Sequence, residues 1–242
     1  MNAIESAIVK IDKKLQGVPF DFAFLGGSVL SLLVTDPVAD AIRVTKDLDV
    51  MVDVKSRLEF HKAERVLERR GFRHDTREGA PICRWTFEEM TVDVLPIREE
   101  VLGWKSRWFC EALGAANVMR VGSHEVKIIS APYFVALKLE AFEERGKGDF
   151  ITSTDFEDVI CLFNGRETIA EEILSLADSE LRNALAAKFR TYLQSPEMED
   201  AIDGFVQTEP EPERRKAAII AKFRQVALQS MQPAKTLANR RT

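Results

Sequence analysis

The feature that most narrows the fold is a change of pattern at Ser130. Before it, short apolar runs of strand length alternate with helical repeats; after it only helical repeats occur, at 131–145, 154–163, 167–176, 178–193, 196–206 and 213–230. The first part opens with a helix over 3–16, where Ile4, Ala7, Ile8, Ile11 and Leu15 recur at helical spacing. Phe22–Leu25 reads as a buried strand, and 28–33 as a buried helix ended by Asp36-Pro37. Residues 47–54 alternate, with Leu48, Val50 and Val52 on one side and Asp47, Asp49, Met51 and Asp53 on the other. That is a strand with an apolar and an acidic face. A helix over 55–70 turns Leu58, Ala63, Val66 and Leu67 inward and ends at Gly71. A short strand at 72–74, a hairpin of 83–87 with 90–95, and a pair 118–121 with 125–129 complete the strands, while 99–113 carries no clear pattern. The expected fold class is therefore α/β (α+β), with an α/β domain over 1–130 and an all-helical domain over 131–242. Glu209–Glu213 reads as a stiff charged linker or turn, and from about 231 the chain reads as a loose basic tail.

Composition excludes several classes. At 242 residues, 45% hydrophobic and 30% charged, the chain has an ordinary globular make-up. It holds no apolar run long enough to span a bilayer, and its first fourteen residues lack a signal-peptide core. A cytoplasmic location is expected. A net charge of −5 argues against a broad electrostatic grip on nucleic acid. Cys83, Cys110 and Cys161 fit neither a zinc spacing nor a disulfide framework and read as small buried thiols. His61, His74 and His124 are equally scattered. Acid–base or metal chemistry in this chain must rest on carboxylates.

Three carboxylates stand out. Asp47 and Asp49, two apart on a strand, leave the same face and repel each other unless compensated. A hard cation such as Mg²⁺ compensates such a pair; the plainer reading is a solvated strand face. Asp93 lies between Val92 and Val94 in another strand, where a carboxylate is either solvent-facing or costly to bury. If the two strands are neighbours, the three acids converge and two metal ions become possible. Gly26-Gly27-Ser28 closes one strand and opens a helix, a turn whose backbone can approach phosphate, with Ser28 adding a hydroxyl or capping the helix. It is not a P-loop, since no Gly-Lys-Ser/Thr follows. Lys138 is surrounded at helical spacing by Phe134, Val135, Ala141 and Phe142, so it must snorkel, pair with an acid or meet an anion. Asp155 and Asp158, one turn apart on the next helix, are both candidate partners; Thr154 with Glu157 reads as a capping box there. The loop Arg145-Gly146-Lys147-Gly148 reads as mobile and basic, suited to a triphosphate or simply solvated.

Gly26-Gly27-Ser28, then Thr45-Lys46-Asp47-Leu48-Asp49, then Asp93 resembles the nucleotidyltransferases of the DNA polymerase β superfamily. Ala131-Pro132-Tyr133, Lys138-Leu139-Glu140-Ala141, Arg145 and Ser153–Asp158 resemble, more loosely, the AbiE-type (AbiEii-like) nucleotidyltransferase toxins of bacterial toxin–antitoxin systems. The resemblance covers about residues 20–163. It implies a mixed sheet with flanking helices, a helical C-terminal domain and a site in the cleft between them. It further implies Mg²⁺, as one or two ions, on Asp47, Asp49 and Asp93. Asp93 would also assist deprotonation of the acceptor hydroxyl. A nucleotide site would form from Gly26, Gly27, Ser28, Thr45 and Lys138, with Asp155 or Asp158 as the acid of the following helix.

The expected reaction moves NMP from an NTP to a hydroxyl and releases pyrophosphate. The acceptor would be tRNA or a protein, in a toxin with a cognate antitoxin, or a small molecule of the antibiotic type. Arg43, Lys46, Arg84, Arg98, Lys105 and Arg107 could line one mouth of the cleft for RNA. The alternatives are a non-catalytic relative acting through a partner, and a glycosyltransferase using Asp-x-Asp, which leaves Gly26-Gly27-Ser28 without a role.

Overall fold

The computed structural model describes residues 2–36, 47–103 and 106–228. Helix α1 (Ala3–Leu15) is started by Asn2, whose side chain accepts from Glu5 N–H while the Glu5 carboxylate takes the Asn2 N–H. Strand β1 (Phe22–Leu25) is nearly all buried. It runs into a 3₁₀ turn (Gly27–Val29) and the one-turn helix α2 (Leu30–Leu33), shorter than the helix expected over 28–33. Then come β2 (Asp47–Val52), α3 (Arg57–Arg69), β3 (Arg73–His74), β4 (Arg84–Phe87) and β5 (Met90–Pro96). The stretch without a pattern holds two short helices, α4 (Glu99–Leu102) and α5 (Phe109–Gly114). The hairpin β6 (Asn117–Val121) and β7 (His124–Ile128) closes the α/β part.

These strands form one mixed seven-stranded sheet in the order β3-β4-β5-β2-β1-β7-β6. β2 lies inside it, antiparallel to β1 and parallel to β5. Interior position explains one departure from the pattern: Met51, on the acidic side of the alternation, is fully buried, while Asp47, Asp49 and Asp53 on that side are half-buried. In α3 the inward residue of the first turn is Phe60, 3% exposed, while Leu58 is 63% exposed and Val66 half-buried. Phe60, Ala63 and Leu67 keep the i, i+3, i+7 spacing that faces a core; Leu58 falls off that line.

The helical part follows as α6 (Ala131–Glu144), α7 (Thr154–Gly165), α8 (Ile169–Ser175), α9 (Ser179–Tyr192), α10 (Pro196–Val206) and α11 (Pro212–Ala227). α7 is capped by Ser153, which accepts from Phe156 N–H, and not by the Thr154 capping box. An aromatic cluster of Phe142, Phe150, Phe156, Phe163, Phe189, Tyr192 and Phe223 ties α6, α7, α9 and α11 together. Glu209, within the proposed linker, is buried and pairs with Arg215, so this turn is docked on the helices. One continuous apolar core includes residues of both parts. Among the described residues no helix is long and apolar enough to cross a membrane. The basic tail and the loop carrying Arg43, Thr45 and Lys46 lie outside the described residues.

The α3 assignment is directly testable. Phe60→Ala is expected to cost about 3–5 kcal/mol in urea denaturation, whereas Leu58→Ala should stay within about 0.5 kcal/mol of wild type. Equal losses would overturn the orientation of that helix.

Candidate active site

The parallel register of β2 and β5 sets Asp49 directly beside Asp93, and the antiparallel register of β4 and β5 sets Arg84 on the far side of Asp93. Leu25, Asp49, Asp93 and Arg84 thus form one row across four strands. Residues level with one another across a sheet share a face. Asp47, two residues before Asp49, leaves that face as well. The three carboxylates therefore share one face of the sheet.

Their surroundings differ. Asp93 is almost buried and is gripped by Arg84 through two hydrogen bonds of 2.8 Å, Nε to Oδ1 and Nη2 to Oδ2. The same guanidinium lies 3.5 Å from Asp47 Oδ2. Hydrogen bonding to Asp93 raises the already high Arg84 pKa, so its charge is permanent. Asp49 receives no hydrogen bond among the described residues. Burial pushes its pKa up to about 7, aided by the charges of Asp93 and Asp47 and opposed by Lys138 and Arg145.

Asp49 also explains Gly26. An added Cβ at position 26 would stand 2.7 Å from Asp49 Cγ and closer still to Oδ2, and Gly26 has φ +73. Only glycine fits both conditions. Ser28 is turned away: it is buried, and its hydroxyl donates to the Leu25 carbonyl at 3.0 Å. What this turn offers a ligand is the backbone of Gly26 and Gly27, both of which line the cleft.

The opposite wall comes from α6 and α7. Lys138 is 8% exposed; its Nζ lies 3.0 Å from Asp155 Oδ1, 2.5 Å from Asp158 Oδ2 and 5.8 Å from the Phe134 ring centre. Both candidate acids are thus its partners. Arg145 does not wave in a basic loop: it caps α6 and forks onto Asp155 with bonds of 2.8 Å from Nε and Nη2. Burial works to raise the Asp155 pKa, but the Arg145 bonds and the Lys138 charge hold it below the usual carboxylate value. An added Cβ at Gly146 would stand 2.6 Å from the Phe142 carbonyl, so a side chain there would force this turn apart.

The two walls enclose a cleft of about 480 Å³. It is lined by Gly26, Gly27, Asp47, Asp49, Arg84, Asp93, Lys138, Arg145 and Asp155, with Leu95, Phe109, Phe134 and Leu137 as apolar floor and Glu140 and Glu144 at its side. Asp158 and Ser28 are not among the lining residues, and Thr45 lies outside the described residues. Of the mouth arginines among the described residues, only Arg84 lines the cleft. Arg98 pairs with Asp53 at 3.4 Å, and Arg107 pairs with Glu180 and stacks over Trp108 at 4.8 Å. Lys105 is outside the described residues. Cys83, next to Arg84, is buried, and burial pushes its thiol up to about 12, out of reach as a nucleophile at neutral pH. Cys110, in contrast to expectation, is exposed. No family model matches the chain, and no curated protein does. Among solved structures it is similar to an antigenic nucleotidyltransferase-like protein from Paracoccidioides brasiliensis, with 18% identity and a TM-score of 0.48 over 89% of this chain and 92% of that one. It is also similar to the antibiotic-resistance factor ANT(2'')-Ia, with 15% identity and a TM-score of 0.45 over 77% and 93% of the two chains. JHP933 from Helicobacter pylori is a third, with 14% identity and a TM-score of 0.45 over 93% and 89%.

A divalent cation suits the carboxylate wall on chemical grounds. The donors are all oxygens, and Asp49 is a part-buried carboxylate with no hydrogen bond among the described residues to compensate it. No group of three or more His, Cys, Asp or Glu among the described residues makes a ready cage. Mg²⁺ does not require one, being held by one or two carboxylates together with phosphate oxygens.

Two outcomes are expected. Because the folded pKa of Asp49 is raised from 3.8 to about 7, the stability its protonated form contributes is full below 3.8 and is lost as pH rises through 7. In chelator, Asp49→Asn should therefore melt with wild type below pH 4 and be the more stable protein at pH 8, by at most about 4 kcal/mol. Lys138→Met should cost about 3 kcal/mol in urea, because Asp158 and part of Asp155 lose a buried cation; a cost under about 1 kcal/mol would mean the pairing is not structural.

Proposed function

We propose that this chain is a nucleotidyltransferase that moves NMP from an NTP to a hydroxyl acceptor and releases pyrophosphate, using Mg²⁺. The observation that supports it most is the facing of two unlike walls across one cleft: Asp47, Asp49 and Asp93 on the sheet, Lys138 and Arg145 on the helices, with Gly26-Gly27 lining the cleft beside Asp49. A triphosphate needs cations on one side and metal-binding acids on the other. The α/β part, 1–130, and the helical part, 131–242, are read as the two domains between which the substrate sits.

Asp47 and Asp49 are assigned as Mg²⁺ ligands, with Asp93 as the third candidate. Bound Mg²⁺ supplies charge neutralisation at the triphosphate and the departing pyrophosphate. Asp93 is assigned to take the acceptor proton as the acceptor oxygen bonds to the α-phosphorus and the bond to the bridging oxygen breaks. Lys138 and Arg145, held by Asp155 and Asp158, present fixed positive charge to the phosphates. Asp155 is the acid that orients both cations; Asp158 braces Lys138 from behind. The apolar floor of Phe109, Phe134 and Leu137 gives a base or an acceptor ring a dry surface.

The AbiE-like reading makes the acceptor tRNA or a protein, in a cytoplasmic bacterial toxin with an antitoxin. A small-molecule acceptor is favoured by one feature: Glu140 and Glu144 lie at the side of the cleft, where they repel a polyanion and attract a cationic hydroxyl compound.

The test is transfer from each α-labelled NTP, with Mg²⁺, into RNA, protein and small-molecule fractions of a bacterial lysate. Asp47→Ala and Asp49→Ala are expected to lower labelling at least about a hundredfold with circular dichroism unchanged. Undiminished labelling in both variants would remove the assignment of the carboxylate wall.

A further inference from the structure

We propose that Arg84 stands where a second metal ion would otherwise sit, so that this cleft takes a single divalent cation, on Asp47 and Asp49. The inference rests on the nucleotidyl-transfer reading and refines its metal count.

Three carboxylates on one face would ordinarily draw cations until their charge is met. Here one cation is already part of the protein. The Arg84 guanidinium spans Asp93 and Asp47, 2.8 Å from each Asp93 oxygen and 3.5 Å from Asp47 Oδ2. A metal shared by those two acids would have to occupy the space the guanidinium fills. Lys138 and Arg145 do not compete for this position, because both are engaged with Asp155 on the opposite wall.

The arginine is not a passing surface side chain. It is the first residue of β4; its N–H donates to Pro81 O at 2.9 Å and its carbonyl accepts from Asp75 N–H at 3.0 Å, so both of its backbone polar groups are engaged. Its register partner across the ladder is Asp93 itself, and its side chain is 26% exposed. A guanidinium keeps its charge at any pH a protein survives, and its planar fork matches both oxygens of a carboxylate. A permanent charge within a few ångströms repels a dication in a part-desolvated cleft. Arg84 therefore neutralises and orients Asp93, bears on one oxygen of Asp47 and closes the space between them to a second metal ion. It is a positioning residue: its two hydrogen bonds are to the Asp93 carboxylate.

The experiment counts Mn²⁺ per chain by electron paramagnetic resonance, with saturating α,β-imido analogues of ATP, CTP, GTP and UTP in turn. Wild type is expected to bind one Mn²⁺, Arg84→Lys one, and Arg84→Gln and Arg84→Ala two, each variant checked for folding by circular dichroism. Two ions in wild type would overturn the inference and leave nucleotidyl transfer standing; this measurement needs no variant. One ion in both wild type and folded Arg84→Gln would also overturn it, since Arg84 would not then set the count. No Mn²⁺ in wild type with any analogue would overturn the nucleotidyl-transfer reading itself.

Discussion

Two carboxylates that share a register position, Asp49 on β2 and Asp93 on β5, impose their charge on everything around them. Neighbouring strands are held about 4.8 Å apart, too close for two bare carboxylates in a part-buried cleft. The chain answers with fixed cations on two sides. Arg84 reaches Asp93 from the next strand, and Lys138 with Arg145 bear on Asp49 from across the cleft. Asp93 is held by Arg84 through two hydrogen bonds; Asp49 has no such partner among the described residues, and burial first, then the charge of Asp93, raises its pKa. The site is a charge imbalance kept in place by the sheet.

Holding cations across a gap from acids requires that they not collapse onto them. The helical part provides that restraint. Asp155 and Asp158 hold Lys138 from the α7 side, and Asp155 also takes both Nε and Nη2 of Arg145. These four groups, two of each sign, are fixed in turn by the aromatic cluster that locks α6 to α7. Buried ion pairs are seldom a net source of stability, because desolvation offsets their attraction. Their worth here is geometric: two positive charges are kept pointing into the cleft with their rotamers settled before any ligand arrives.

Much of this was legible in the residues, because it rests on local patterns. The alternation at 47–54 announced a strand with acids on one face, and the strand lengths before Ser130 against the helical repeats after it announced the fold class. Lys138 stood out as a charge amid apolar neighbours. What escaped was set by pairing between distant segments. No periodicity reveals that Arg84 lies level with Asp93, since hairpin register decides it. Met51 looked solvent-facing because burial on both faces depends on the strand order. Leu58 and Phe60 are equally apolar, and only the helix's orientation tells them apart. Ser153 takes the cap from Thr154 because α7 begins one residue earlier than the spacing of Thr154 and Glu157 implies. Arg145 stands before Gly146 and Gly148 in a stretch with the composition of a loop, yet it caps α6.

The contact between Gly26 and Asp49 carries a consequence for inheritance. A methyl group at 26 would displace the Asp49 carboxylate. Position 26 tolerates no side chain while Asp49 stands where it does, although the two lie 23 positions apart in the chain. A side chain gained at 26 would need a smaller one at 49, so the two changes would have to be inherited together.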